Sequence, residues 1–373
     1  MTDILVIGGG IVGQVAAIRL AETGARVVIV DAARNAGSTA NAGSLHVQMQ
    51  SRFMRLYPDQ VPNIEASLPF YVAAVHEWGQ LDQQYGSFDL VRKGGLMLAE
   101  DDDQMAFLEK KMEREARKGV SVELLDRAAL DRIAPWLGPQ IVGAELCRDE
   151  GKLNPLAANK RLRAAAEALG ITHHTDQIVR LESLRDGVEA TGLRDRYRAD
   201  RVVVAAAWGA GELAQNLGIP IPSRAEPLHM NITEACETQI NHLVQHAERS
   251  ITLKQFATGQ IVIGGGWAAR DRGRHEVPVV DHASLLGNVA LAARLVPSIS
   301  GIRVIRTWAG MNTTVDGASI IGPLPGHERV IMAVPGDAGY TLGPLVARLA
   351  ADCVQGSGLS ADATSLSPAR FAA

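Results

Sequence analysis

The sequence predicts an α/β protein: a Rossmann-like dinucleotide-binding domain interleaved with an α+β domain built on a mainly antiparallel sheet. Three observations carry this. The chain opens with a βαβ unit whose turn reads Gly8-Gly9-Gly10-Ile11-Val12-Gly13. Two later stretches, Asp200 to Ala210 and Val330 to Thr341, repeat its logic of a buried strand running into a small-residue turn and a helix. Between Pro220 and the second of these stretches, the pattern changes to short alternating strands. The expected division is residues 1–85, 143–219 and 320–373 for the nucleotide domain, and 86–142 and 220–319 for the other.

In the opening unit, each part has a mechanical job. Asp3 to Ile7 reads as a strand, a helix follows to about Thr23, and a second strand runs from Arg26 to Val30 and ends on Asp31. Gly8 permits the tight turn, Gly10 lets the backbone approach a pyrophosphate, and Gly13 lets helix and strand pack closely. The helix start at Ile11 and Val12 points unpaired N–H groups and a positive dipole end at the phosphates. Asp31 would accept hydrogen bonds from both ribose hydroxyls and repel a 2′-phosphate. The ligand is therefore expected to be a dinucleotide of the FAD or NAD type and not NADP. The loop that follows, Ala32 to His46, is rich in small and polar residues and is suited to lie against that ligand.

Further along, Pro62 to Tyr85 has helical spacing, interrupted at Pro69. A strand pair is expected over Phe88 to Ala99, hinged at Gly94-Gly95. The next helix should be capped by Asp102 or Asp103, run to Lys118 and stop at Gly119. Its acidic run, Asp101-Asp102-Asp103, is read as a dipole-favoured helix start and not as a metal site. Then come a strand from Ile141 to Cys147 and a helix from Pro155 to Leu169. Short strands follow at Ile171 to His174, Ile178 to Ser183, Val188 to Leu193 and Tyr197 to Val204. Beyond Pro220-Ile221-Pro222, strands are expected at Pro227 to Thr233, Ser250 to Lys254 and Gln260 to Gly264, a helix at Asp281 to Leu295, and a strand at Arg303 to Ala309. Val330 to Ala333 completes the strands, and a final helix runs to Val354. Its start suits negative charge on a reduced flavin, and the tail after Gln355 is expected to be loosely ordered.

Composition excludes several classes. The 373 residues are 47% hydrophobic, enough for a large core and about two domains. A net charge of −4 offers no basic field for nucleic acid. No apolar run suggests a transmembrane span or a signal peptide, so the expected location is cytoplasmic. Cys147, Cys236 and Cys353 lie far apart, so they cannot hold a zinc or an iron–sulfur cluster, and no metal is expected.

These motifs together resemble the FAD-dependent D-amino-acid oxidase superfamily over nearly the whole chain. The resemblance rests on Gly8 to Asp31, Ser38-Thr39-Ala40-Asn41-Ala42-Gly43, Val202 to Trp208, Thr307-Trp308-Ala309-Gly310 with Asp316-Gly317, and Gly339-Tyr340-Thr341-Leu342-Gly343-Pro344. Asn41 to Gln50 and Glu150-Gly151-Lys152-Leu153-Asn154-Pro155 look most like flavin subunits of heteromeric dehydrogenases for opines, D-hydroxyproline or proline, and like the flavin chain of hydrogen cyanide synthase. The resemblance implies FAD held non-covalently, although His46 keeps a covalent link open. It assigns Gly8, Gly10, Gly13, Asp31, Ala32 and Arg34 to the ADP half and the backbone of Ile178 to the adenine. Ser38, Asn41, Ala42, Gly43, Ser44 and Leu45 would line the pyrophosphate and flavin. Ala206, Trp208, Gly310, Gly336, Gly339, Tyr340 and Thr341 would close the site.

One departure bears on substrate. The family usually places an arginine two residues after the glycine that corresponds to Gly310, to grip a carboxylate; here that residue is Asn312. The carboxylate is then held by another group, with His46, Arg52, Lys254 and Arg306 as candidates, or the substrate is not a simple α-amino acid. The expected catalytic group is His46, Arg52, Lys254, Asn312 and Tyr340. The implied reaction is hydride transfer from Cα of a small amino or imino acid to flavin N5, followed by imine hydrolysis, with an opine or hydroxyproline as substrate. A partner chain would carry the iron–sulfur relay. A lone oxidase, an NAD-dependent dehydrogenase and a non-catalytic electron-passing chain are the rival expectations.

Overall fold

The structure, a computed structural model, describes residues 2–34, 37–273 and 276–372. Asn35 and Ala36, within the expected ligand loop, lie outside the described residues.

Two large sheets organise the chain. The first runs in the order Ile320–Leu324, His327–Val334, Arg196–Val204, Thr2–Ile7, Val27–Asp31, Thr172–Thr175. Four of the five pairings along this order are parallel, with Leu5 between Val202 and Val28, and the first, of Ile320–Leu324 with His327–Val334, is antiparallel. Ile178–Leu184 and Gly187–Gly192 extend it as an antiparallel meander on Arg196–Val204. In such a sheet, ligands sit outside the carboxyl ends of the strands. Here the turns after Ile7, Val204 and Val334 all emerge at that edge.

Sterics at the first turn explain its glycines. Gly8 adopts φ +108°, and a Cβ there would lie 2.3 Å from the carbonyl oxygen of Ala205. A Cβ on Gly13 would lie 1.8 Å from the carbonyl oxygen of Gly8, so only glycine lets the helix Ile11–Glu22 dock on its strand. That helix is almost wholly buried, packed between the sheet and the final helix, Gly339–Val354. The long helix Val61–Tyr85 covers the final helix in turn. Its buried Trp78 donates to the carbonyls of Tyr340 (3.1 Å) and Thr341 (3.2 Å), and its ring stacks on Tyr340 at 5.0 Å.

The second sheet runs Val304–Thr314, Arg224–Ala235, Gln260–Gly264, Thr252–Gln255, Leu243–His246, Gly95–Ala99, Gly143–Cys147, Val122–Asp126. All of its pairings are antiparallel except that of Leu243–His246 with Gly95–Ala99. Gly143–Cys147, grouped by sequence with the nucleotide segment, pairs inside this second sheet.

The structure corrects several local expectations. Pro69 does not interrupt its helix, which is continuous over 25 residues; burial of its Ser67, Leu68, Val75 and Trp78 face outweighs the one lost backbone bond. The expected strand pair at 88–99 is a single strand, Gly95–Ala99, preceded only by an isolated bridge from Val91 to Lys152. The following helix is capped by Asp101, whose side chain accepts from the amide of Gln104. The tail is ordered: Ala361–Leu366 and Pro368–Phe371 form 3-10 turns with Leu366 buried, and Arg370 pairs with Asp316 at 2.9 Å.

Candidate active site

A cavity of about 430 Å³ runs along the carboxyl edge of the first sheet and onto the face of the second. At its nucleotide end lie Gly8, Gly10, Ile11, Val12, Asp31, Ala32, Arg34 and Ile178. The helix at Ile11 begins on Gly10, which has no side chain to cap it, and has no acidic residue in its first turn; apart from the Ile11 amide, which Ser38 takes, its positive end is open to an anion. Asp31 is held in place by the amides of Gly9 (2.5 Å) and Ala33 (2.6 Å). Ser38 Oγ accepts from the amide of Ile11 at 2.8 Å, and Arg34 reaches Gln177. A bare turn, a dipole end and an acid on the second strand fit a dinucleotide diphosphate and its ribose.

Toward the second sheet the lining continues with Ser38, Asn41, Ala42, Ser44, Ala206, Trp208, Gly310, Gly336, Gly339, Tyr340 and Thr341. Trp308 Nε1 donates to the carbonyl of Ala40 (2.9 Å), tying the short helix Gly37–Ala40 to the second sheet. A Cβ on Gly310 would lie 2.3 Å from that of Ala40, which accounts for the glycine. His46 contacts the cavity with its Nδ1 unbonded, 3.9 Å from Glu150 Oε1. Burial first, and the Lys254 charge second, pull His46 down to about 3, so its ring is neutral.

The far end is the charged one. Arg52 pairs with Glu226, and Asn312 Nδ2 donates to the other Glu226 oxygen at 3.3 Å. Register explains the second contact, because Glu226 and Asn312 are direct cross-strand neighbours. Asp337, in the turn before the final helix, adds a second carboxyl whose Oδ1 has no hydrogen bond. Tyr71, His229 and Gln48 complete this end.

Some expected residues do not line the cavity. Gly13 and Gly43 serve packing: a Cβ on Gly43 would lie 2.0 Å from the carbonyl of Leu153. Leu45 is a core residue with no exposed surface. Lys254 sits one layer behind the wall, fully buried, and donates to Ser44 Oγ at 2.7 Å. Burial lowers Lys254 to about 7, with the Lys152 charge adding to the effect. Arg306 is exposed beside Trp308 and lies outside the cavity lining. Tyr340 lines the cavity without offering its hydroxyl to it. Its ring lies in the core and its OH donates to Asn159 (3.1 Å), which ties Tyr340, expected in the catalytic group, to a packing contact.

Behind the wall lies a layer that sequence reasoning missed. Glu150, with no exposed surface, accepts from the amides of Val47 (2.8 Å) and Gln48 (3.1 Å) and from the side chains of Gln48 and Gln245. Burial raises it to about 7. Lys111 bridges Glu115 and Glu145 at 2.9 Å each and reaches Gln48. Glu226 and Asp337 were missed as well. The one available signal was an unexplained acid beside Pro227 and another inside a glycine turn.

Comparison with known proteins agrees with this geometry. One opine oxidase subunit from Agrobacterium tumefaciens (strain Ach5) is 26% identical over 325 residues, covering 85% of this chain and 84% of that protein. Glycine oxidase of Bacillus licheniformis is 24% identical, covering 95% and 93%. Among solved structures, L-proline dehydrogenase from P. horikoshii superposes with a TM-score of 0.83 at 21% identity, covering 100% of this chain and 98% of that one. Glycine oxidase from Geobacillus kaustophilus gives 0.83 at 21%, covering 98% and 97%. The pattern of one family spans residues 3–353, and on that match the chain belongs to the DAO family of FAD-dependent oxidoreductases.

Proposed function

We propose that this protein uses FAD to oxidise the C–N bond of a small amino or imino acid, with an opine or a cyclic D-imino acid such as hydroxyproline as substrate. The observation that carries the reading is Arg52: a guanidinium in the same cavity as the nucleotide turn, beside Asn312, a neutral amide that is already bonded to Glu226 and has no charged fork to grip a carboxylate. Bound there, FAD supplies the acceptor for the substrate's Cα hydride. The chain's own residues do the rest. The Ile11 helix start and the Ser38 to Ser44 segment hold the diphosphate. Arg52 turns from Glu226 to the substrate carboxylate, and neutral His46 keeps charge off the ring-facing wall. The start of the final helix favours negative charge across the cavity.

The same reading keeps the cofactor non-covalent and the location cytoplasmic, and it keeps the two-domain division with one change, Gly143–Cys147 passing to the second domain. No helix among the described residues is long and apolar enough to cross a membrane. The opine oxidase relative is named as one chain of a larger assembly, which favours a partner chain here too; that partner would carry the iron–sulfur relay and receive the electrons.

Anaerobic bleaching of the bound flavin by a panel of D-amino acids, imino acids and opines tests the proposal. Bleaching by an opine or D-hydroxyproline at a lower concentration than by glycine is the expected outcome. A flavin bleached by none of them would overturn it.

A further inference from the structure

Loss of hydride from Cα needs a lone pair on the adjacent nitrogen, yet an amino acid arrives at neutral pH as an ammonium. The cavity must therefore hold an acceptor for that proton. We propose that Asp337 is the base that takes it, with Glu226 holding the cation beside it; this rests on the reading above that the cavity receives an amino or imino acid.

Elimination and geometry point the same way. His46 is held neutral so far below its ordinary range that it takes up no proton near pH 7. Glu226 keeps Asn312 on one oxygen, and once Arg52 turns from the other to the substrate carboxylate, that oxygen faces the substrate ammonium as its counter-ion. The Tyr71 hydroxyl is pushed up by burial, so it stays protonated. Lys254 stands behind the wall, spent on Ser44. Three cavity-lining groups carry a buried atom with no hydrogen-bond partner, the Nδ1 of His46, the Nδ1 of His229 and the Oδ1 of Asp337; burial pulls both rings down and keeps them neutral, which leaves Asp337 as the unpartnered group able to take a proton.

The side chains acting on Asp337 come from three elements. Burial and the Glu226 carboxylate, on the strand Arg224–Ala235, raise it to about 7, against the pull of its own backbone amide, of Arg52 on the short helix Ser51–Leu56, and of the Val315 amide. Tyr71, on the helix Val61–Tyr85, feels its charge in return. A base poised near the working pH is suited to the transfer. In the step, the ammonium N–H bond breaks and an O–H bond forms on the carboxylate. The amine is left with its lone pair, and no electrons change hands.

The test uses the flavin-loaded protein and 2-aminoisobutyrate, an amino acid without a Cα hydrogen. Calorimetry in two buffers of different ionisation enthalpy counts the protons released on binding. If Asp337 accepts the proton, about one is released near pH 6, where the acid is already protonated, and almost none near pH 8. Equal release at both pH values, whether about one or none, would overturn the proposal. Asp337→Asn is expected to slow anaerobic bleaching roughly a hundredfold at constant flavin content, with its rate following the substrate's own ionisation. Wild-type rate and pH profile in that variant would sink the idea. If the variant loses its flavin, the wild-type calorimetry still decides. A wild-type flavin that the substrate panel bleaches, combined with equal proton release, defeats the base and leaves the proposed function standing.

Discussion

The two ends of the cavity are built from different materials. The nucleotide end is mostly backbone: glycines, a helix start and an acid pinned by two amides, nearly all within Thr2–Asp31. The charged end is side chains only, Arg52, Glu226, Asn312 and Asp337, delivered by four segments far apart in the chain. Cofactor recognition is thus a property of local chain geometry, and substrate recognition a property of tertiary placement. The first should fail through added bulk, and the second through lost charge.

The largest effect is expected from Gly13→Val, which forces a side chain into the carbonyl of Gly8. Overpacking of about 3 kcal/mol or more should abolish flavin binding, read as a colourless protein with a lowered Tm. A yellow, stable variant would break the comparison. Arg52→Met should leave flavin content unchanged and lower kcat/KM for carboxylate substrates roughly a hundredfold, since truncating one member of a semi-buried charge pair costs about 2–5 kcal/mol.

Lys254→Met probes the layer behind the wall. The folded value of Lys254, about 7, lies below its ordinary 10.5, so between those limits the unfolded chain holds the extra proton. This group's contribution to stability therefore rises with pH from about 7 to 10.5, by at most about 1.4 kcal/mol per unit, and is flat below. The variant should lose that slope in denaturant midpoints measured across the window. The smallest effect belongs to Asn312→Ala, which removes one hydrogen bond to Glu226 worth about 1 kcal/mol. KM should change severalfold with flavin unaltered; loss of flavin would place Asn312 at the wrong end of the cavity.

The same contrast governs what could be read from the sequence. Gly8, Gly13 and Asp31 announce themselves because their spacing is dictated by one strand, one turn and one helix. The helix starts at Asp281 and Pro155 were legible for the same local reason. Glu226 was not, because its meaning depends on facing Asn312 across two strands. Tyr340 misled because its neighbours line the cavity while its ring turns to Trp78. Pro69 misled because a packed neighbour can hold a helix that propensity alone would break.

The anchoring of the turn at Tyr340 and Thr341 by Trp78 has a consequence for biosynthesis. The opening turn leaves the ribosome long before the opposite wall does. A nascent polypeptide therefore has half a binding site until the final helix emerges, and products cut short before that helix should accumulate as flavin-free chains for proteolysis to clear.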